Sequence, residues 1–197
     1  MAARSLSFQT STISAWPPLI RIGKNHPLPV LRAFQKQTQY KMPAEISIKR
    51  TVSGEEQAIQ SFVISVFDEF VGPDISQEGL DSFHYFMSLE NMAERSKGNI
   101  QLAARTADGI LVGVAEGRDN SHLTLLFVDK EFHGQGIGRR LFNEFIRIVK
   151  ENDPSVEKIT LNSSLFAFEI YRKMGFVQTA PEFKKVGIRC IPMELQL

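Results

Sequence analysis

The sequence predicts an α/β domain, a mixed central sheet with helices on both faces and elements in the order β-α-α-β-β-β-α-β-α-β-β. Three observations carry that expectation. Short apolar runs of period two alternate with longer runs of helical spacing. Turn signals separate them, Ala107-Asp108-Gly109 between two strands being the clearest. A tight glycine cluster, Gly134 to Gly138, lies where a strand gives way to an amphipathic helix.

In chain order, Ile46 and Ile48 alternate with polar residues as a first strand. Thr51 and Ser53 followed by Glu55 and Glu56 mark a helix start. Ile59, Phe62, Val63, Val66, Phe67 and Phe70 then keep helical spacing until Gly72-Pro73 ends the run. A second helix begins near Ser76, with Leu80, Phe83, Phe86, Met87 and Met92 on its apolar side, and ends before Lys97-Gly98-Asn99. Residues 100–105, 110–116 and 123–128 read as three strands of a meander. After the glycine cluster, Leu141, Phe142, Phe145, Ile146 and Val149 stripe a helix that stops at Asn152-Asp153-Pro154. Residues 158–162 return to strand, and 166–174 to helix with Gly175 as its cap. Residues 176–179 and 188–195 close the sheet as a pair of strands.

Charge divides the 197-residue chain in two. All 22 acidic residues lie at or after Glu45, whereas the first 42 residues hold six basic residues and no acid. The remainder therefore carries 17 basic against 22 acidic residues, a net of −5. Residues 1–42, with Ser5, Ser7, Thr10, Ser11, Thr12 and Ser14, spaced basic residues and Pro17, Pro18, Pro27 and Pro29, resemble an organelle transit peptide. The other reading is an N-terminal extension ahead of a functional start at Met42. The first sends the protein to a mitochondrion or plastid; the second leaves it cytoplasmic. Under both, the folded domain is 43–197.

That domain's acidic balance gives no electrostatic case for nucleic-acid binding. No apolar stretch approaches the ~18–20 residues of a membrane span. The one cysteine, Cys190, has no partner for an internal disulfide and reads as a small buried side chain. With four scattered histidines it gives no zinc spacing, and no metal is expected.

The stretch His133-Gly134-Gln135-Gly136-Ile137-Gly138-Arg139-Arg140 carries the chemistry. Glycines at a strand-to-helix junction let the backbone approach a ligand and bare N–H groups that side chains would screen. The helix start adds unpaired N–H groups and the positive end of the dipole, so a phosphate or pyrophosphate is the natural guest. Two better-known phosphate motifs do not fit. A G-x-G-x-x-G register meets Arg139 or Leu141 at its last position, and no Gly-Lys-Ser/Thr is present.

The run from Val128 to Gly138 resembles the Arg/Gln-x-x-Gly-x-Gly/Ala signature of the GNAT acetyltransferases. Gly136 and Gly138 match its glycines, and His133 stands in the Arg/Gln slot. A second segment, Asn162, Ala167 and Tyr171-Arg172-Lys173-Met174-Gly175-Phe176, is similar to the family's N…A…Y-x-K-x-G-F pattern. The resemblance spans residues 46–197 and implies a sheet splayed open around acetyl-CoA. It also implies an N-acetyltransferase moving acetyl from acetyl-CoA to a primary amine, carried by a small molecule or by a protein or peptide. Homodimers are common in the family.

On this resemblance Phe127 and Val128 pair their backbones with the pantetheine arm, and their N–H groups polarise the thioester carbonyl. Gly134, Gln135, Gly136, Gly138 and Arg139 hold the pyrophosphate, with the backbone of His133 beside them. Tyr171 fills the position of a general acid for the departing thiolate. Asn162 binds pantetheine or orients a water; the alternative is a helix cap. His122 takes the place of a base, with Glu116 as second candidate. The helix pair around Phe67 and Phe86 walls the acceptor pocket. Two competing functions are a non-catalytic acyl-CoA sensor on the same fold and an interaction module whose glycine loop is only a turn.

Overall fold

The computed structural model describes residues 45–197 except Asn120, so the basic leader lies outside the described residues. Eight strands form one sheet in the order β1-β2-β3-β4-β5-β8-β6, with β7 paired only to β8. β1 (Ile46–Arg50), β2 (Ile100–Thr106), β3 (Leu111–Arg118) and β4 (His122–Val128) make an antiparallel meander. β5 (Lys158–Ser163) runs parallel to β4 and antiparallel to β8 (Ile188–Gln196). A parallel neighbour needs a crossover. α4 (Ile137–Asn152) supplies it.

The first helix, α1 (Glu56–Phe70), forms where expected. The second expected helix is two, α2 (Gln77–Phe86) and α3 (Leu89–Ser96), because Ser88 restarts the chain as a new N-cap, its Oγ accepting from Asn91 N. α5 (Phe168–Met174) starts later than residue 166, and Ser164 Oγ accepts from Ala167 N at its entry. The strand expected at 176–179 shrinks to β6 (Val177–Gln178). The structure adds β7 (Phe183–Lys185), turned back onto β8 through Val186 and Gly187, both at positive φ. That hairpin docks on α2: a Cβ on Gly187 would lie 2.3 Å from Ser76 Oγ and 2.6 Å from Gly79 N.

Two cores sit on the two faces of the sheet. On one, Ile137, Leu141, Phe142, Phe145, Ile148 and Val149 of α4 pack on strand residues including Leu102, Ala115, Leu123, Ile159 and Leu161. On the other, Ile59, Val63 and Phe67 of α1 meet Phe83, Met87 and Met92 over Val114 and Leu125. α4 lies close to the sheet because β3 presents glycines beneath it. A Cβ on Gly113 would stand 2.9 Å from Leu141 Cδ1, and one on Gly117 would stand 2.1 Å from Phe145 Cε2.

Glu116, the second candidate base, is an anchor. It is 2% exposed and accepts from Arg95 Nε (2.8 Å), Asn99 Nδ2 (2.7 Å) and Gln101 Nε2 (3.1 Å). Arg95 also donates to the Phe86 carbonyl and lies 3.7 Å over the Phe86 ring, so the cluster pins the break between α2 and α3 to β3. Bound by three donors and almost without exposure, the carboxylate is built into this cluster rather than presented to a substrate.

Replacing Gly by Ala in a strand ordinarily helps by restricting the unfolded chain. Gly117→Ala is expected to reverse that sign and cost about 1–3 kcal/mol, because its methyl must displace the fully buried Phe145 ring. Glu116→Ala, which strands Arg95, is expected to cost about 3–5 kcal/mol, and Glu116→Gln less. Denaturant unfolding of the three variants checks both statements.

Candidate active site

The sheet opens between β4 and β5. Their pairing consists of His122↔Thr160 and Leu123↔Leu161 and stops there, so the rest of β4 has one unpartnered edge. A bulge accompanies the stop. Leu123 pairs with Gly117 and Leu125 with Glu116, leaving Thr124 as an extra residue in β4. The bulge reverses the strand, and Leu123 packs in the α4 core while Leu125 packs in the α1–α3 core.

The register assigns the free edge. Asp129 N donates to the Val112 carbonyl at 3.0 Å, so by the alternation of an antiparallel ladder Phe127 and Leu125 also turn their backbones to β3. Leu126 and Val128 face the opening. Val128, expected to meet the pantetheine arm, lies on this edge with its N–H toward the opening. The expectation for Phe127 is corrected: its backbone belongs to the β3 ladder, and its ring packs edge-on against Phe67 and Phe83 at 6.4 and 6.2 Å. Leu126 was missed, because the hydrogen-bonding register with β3 decides which residues face outward, and no residue type in the sequence announces it.

At the end of β4, Asp129 caps a short 3-10 turn (Lys130–Phe132), its carboxylate accepting from Glu131 N at 2.8 Å. The chain then passes through Gly134 and Gly136, both at φ 76, a conformation that side chains disfavour. Gly136 is the N-cap of α4, whose first bond runs from Arg140 N to the Gly136 carbonyl at 3.0 Å. From Gly134 to Arg139, six successive backbone N–H groups donate to no described residue. A Cβ on Gly134 or Gly136 would meet nothing within 4 Å, and one on Gly138 only Val128 Cγ2 at 3.6 Å. This concave run of donors at the positive end of a 16-residue helix fits a diphosphate.

The flanking side chains divide. His133 donates its own N–H to the Lys130 carbonyl, so the cradle begins at Gly134, and its Nε2 lies 2.8 Å from the Val128 carbonyl. Gln135 Nε2 donates to the Glu131 carbonyl. Arg139 donates to the Lys173 carbonyl at 3.1 Å, and Arg140 to the Ile46 carbonyl at 2.6 Å. Arg140 is thus tied to β1, while Arg139 joins the first turn of α4 to the last turn of α5. The Phe70 ring, at the end of α1, lies 5.3 Å from that of His133 and 5.0 Å from that of Phe166, so three rings bridge the ends of β4 and β5.

Tyr171 is buried in α5, edge-on to Phe176 at 5.5 Å, and its hydroxyl bonds to no described residue. Burial pushes its phenol well above the ordinary value, which keeps the proton on. His122 stands at the start of β4 with Nδ1 2.9 Å from Thr160 Oγ1. Burial lowers its pKa, the Arg118 and Lys185 cations lower it further, and Asp119 opposes them. The lowered pKa favours the neutral ring, and the tautomer in which Nδ1–H donates to Thr160 Oγ1 leaves Nε2 to accept a proton. Asn162 is exposed on β5 and does not cap α5, whose N-cap position is Ala167; Ser164 Oγ holds the turn before it by accepting from Ala167 N. Because Ile159 and Leu161 face the α4 core, Thr160 and Asn162 share the opposite face with His122. The Cys190 thiol is half-buried and held protonated by that burial.

A family model described as an acetyltransferase (GNAT) domain matches residues 71–197, more than half of the chain. Among solved structures, a GCN5-related N-acetyltransferase from Rhodopseudomonas palustris superposes with a TM-score of 0.67 at 18% identity, covering 77% of this chain and 95% of its own. The PaiA N-acetyltransferase of Thermoplasma acidophilum, in complex with coenzyme A, follows at 0.65 and 19%, covering 77% and 99%. A spermidine N-acetyltransferase from Vibrio cholerae, with CoA and spermine, gives 0.54 and 17%, covering 77% and 95%. By the family match, with a fold that agrees, the chain belongs to the GNAT acetyltransferases and is an acyltransferase.

Proposed function

We propose that the protein transfers an acetyl group from acetyl-CoA to a small primary amine by direct attack in a ternary complex. The observation that carries this reading is the run of six free N–H groups from Gly134 to Arg139, set beside the unpartnered edge of β4. The cradle would hold the diphosphate. An extended amide arm would then run as an extra strand along Val128 and Leu126, bringing the thioester toward the bulge. The relatives crystallised with CoA, one of them also with spermine, support an acyl-CoA and a small amine as the two substrates.

The amine must attack as a free base. Its lone pair adds to the thioester carbonyl carbon, and the oxygen takes up negative charge that the Leu126 N–H faces. Collapse forms the amide and breaks the carbon–sulfur bond. His122 takes up the proton lost from nitrogen, and its lowered pKa keeps it ready to do so at neutral pH. Tyr171, protonated by its burial, supplies the proton to the departing thiolate. Cys190 takes no part, since a buried, protonated thiol makes a poor acetyl carrier.

Release of free thiol from acetyl-CoA in the presence of a panel of amines tests the reading. Turnover with at least one small amine is expected. Binding of CoA without turnover against any amine would instead make the protein a sensor, and no CoA binding would remove the site altogether. Tyr171→Phe is expected to lower kcat about 10²-fold while leaving CoA affinity unchanged, measured by calorimetry. The acid limb of kcat is expected below pH 6.5, the ordinary histidine value, and to disappear in His122→Gln. A limb at or above 6.5, or one that survives the substitution, assigns the base elsewhere.

A further inference from the structure

Among the described residues, one buried side-chain polar atom has no hydrogen-bond partner, and it is Thr124 Oγ1. The other buried polar side chains among the described residues are paired. Glu116 is closed by three donors, and Ser163, also buried, donates to the Ser164 carbonyl. An unsatisfied buried hydroxyl is destabilising and calls for an explanation. Valine would fill the same volume without that cost.

The position supplies the explanation. Thr124 is the extra residue of the β4 bulge, directly after Leu123, where pairing to β5 ends. The free edge of β4 therefore runs from Val128 to Leu126 and terminates at Thr124. At about 3.3 Å per residue, the strand from Val128 back to Thr124 covers roughly 13 Å. An extended arm anchored at the glycine cradle and laid along this edge carries its reacting end toward the bulge residue, whose buried hydroxyl has no described partner.

We infer that Thr124 Oγ1 donates a hydrogen bond to the acyl carbonyl of the bound thioester. The inference rests on the acyl-CoA reading of the site and adds a side-chain donor to the backbone N–H of Leu126. A hydroxyl suits the task because it donates to the ground-state carbonyl and holds the same proton on the oxyanion formed by attack. Free CoA, ending in a thiol, lacks that carbonyl. Thr124 therefore discriminates acylated from spent cofactor, which favours loading of substrate over retention of product.

Calorimetric titration of CoA and of acetyl-CoA into the full chain tests this, with Thr124→Val and Thr124→Ser compared to the wild type. The expected result is a loss of about 3- to 10-fold in acetyl-CoA affinity for Thr124→Val, the range of one neutral hydrogen bond, with CoA affinity unchanged. Thr124→Ser retains the wild-type preference. Without ligand, Thr124→Val melts no lower than the wild type, since it removes an unpaired hydroxyl and keeps the volume. An unchanged ratio of the two affinities in Thr124→Val overturns the assignment and leaves the hydroxyl to an internal water. An equal loss for both ligands, or a lowered melting temperature, overturns it in favour of a packing role. If wild-type protein binds no CoA, the acyl-CoA reading itself fails and takes this inference with it.

Discussion

Everything at the site depends on one interruption: β4 and β5 pair at His122↔Thr160 and Leu123↔Leu161 and then separate. A sheet edge inside a domain is ordinarily a liability, because unpaired backbone groups away from water cost free energy. Here the interruption leaves the backbone groups of Leu126 and the N–H of Val128 facing an opening, while the Val128 carbonyl is taken by His133 Nε2. The bulge at Thr124 makes it stable. By adding one residue it turns the ladder over, so that β4 serves β5 on one side of the bulge and the opening on the other. The glycine turn at the far end of β4 then adds a second set of free donors in line with the first.

The remainder of the fold holds this geometry rigid. α4 must cross the sheet to join two parallel strands, and its N-terminus is consequently delivered to the end of β4. Gly113 and Gly117 let it sit close, with Leu141 and Phe145 taking the space that their side chains would fill. On the other face the Arg95–Glu116 pair, with Asn99 and Gln101, fastens α3 to β3 next to the bulge. Removing one partner of such a pair is costly even where the pair itself adds little. The β7–β8 hairpin, locked onto α2 by the near-contact of Gly79 and Gly187, ties the C-terminal half of the sheet to the helices of the N-terminal half.

What could be read from the sequence was local, and what could not depended on register. The stripe Leu141, Phe142, Phe145 and Val149, the glycine cluster and the meander of β2 to β4 are signalled by spacing within a few residues, and they formed as expected. The break at Ser88 was legible in principle, since a serine followed by Glu90 marks a cap, but the continuous apolar stripe through Met87 and Met92 masked it. The exchange of Phe127 for Leu126 at the free edge had no local signal: it follows from which residues of β4 bond to β3. Glu116 looked like a strand-end acid. Its donors come from α3, the turn that follows it and β2, 15 to 21 residues away in sequence, so its burial was a tertiary fact. The β7 hairpin was missed because Phe183 to Lys185 is short, exposed and mostly charged.

The central claim is that the backbone between Gly134 and Arg139 receives the diphosphate of an acyl-CoA. Amide hydrogen exchange with and without CoA measures those six groups directly. With CoA bound, exchange is expected to slow across residues 134–139, with a second protected patch at Leu126 and Val128 on the free edge of β4. CoA binding that leaves 134–139 exchanging at the ligand-free rate would contradict the claim.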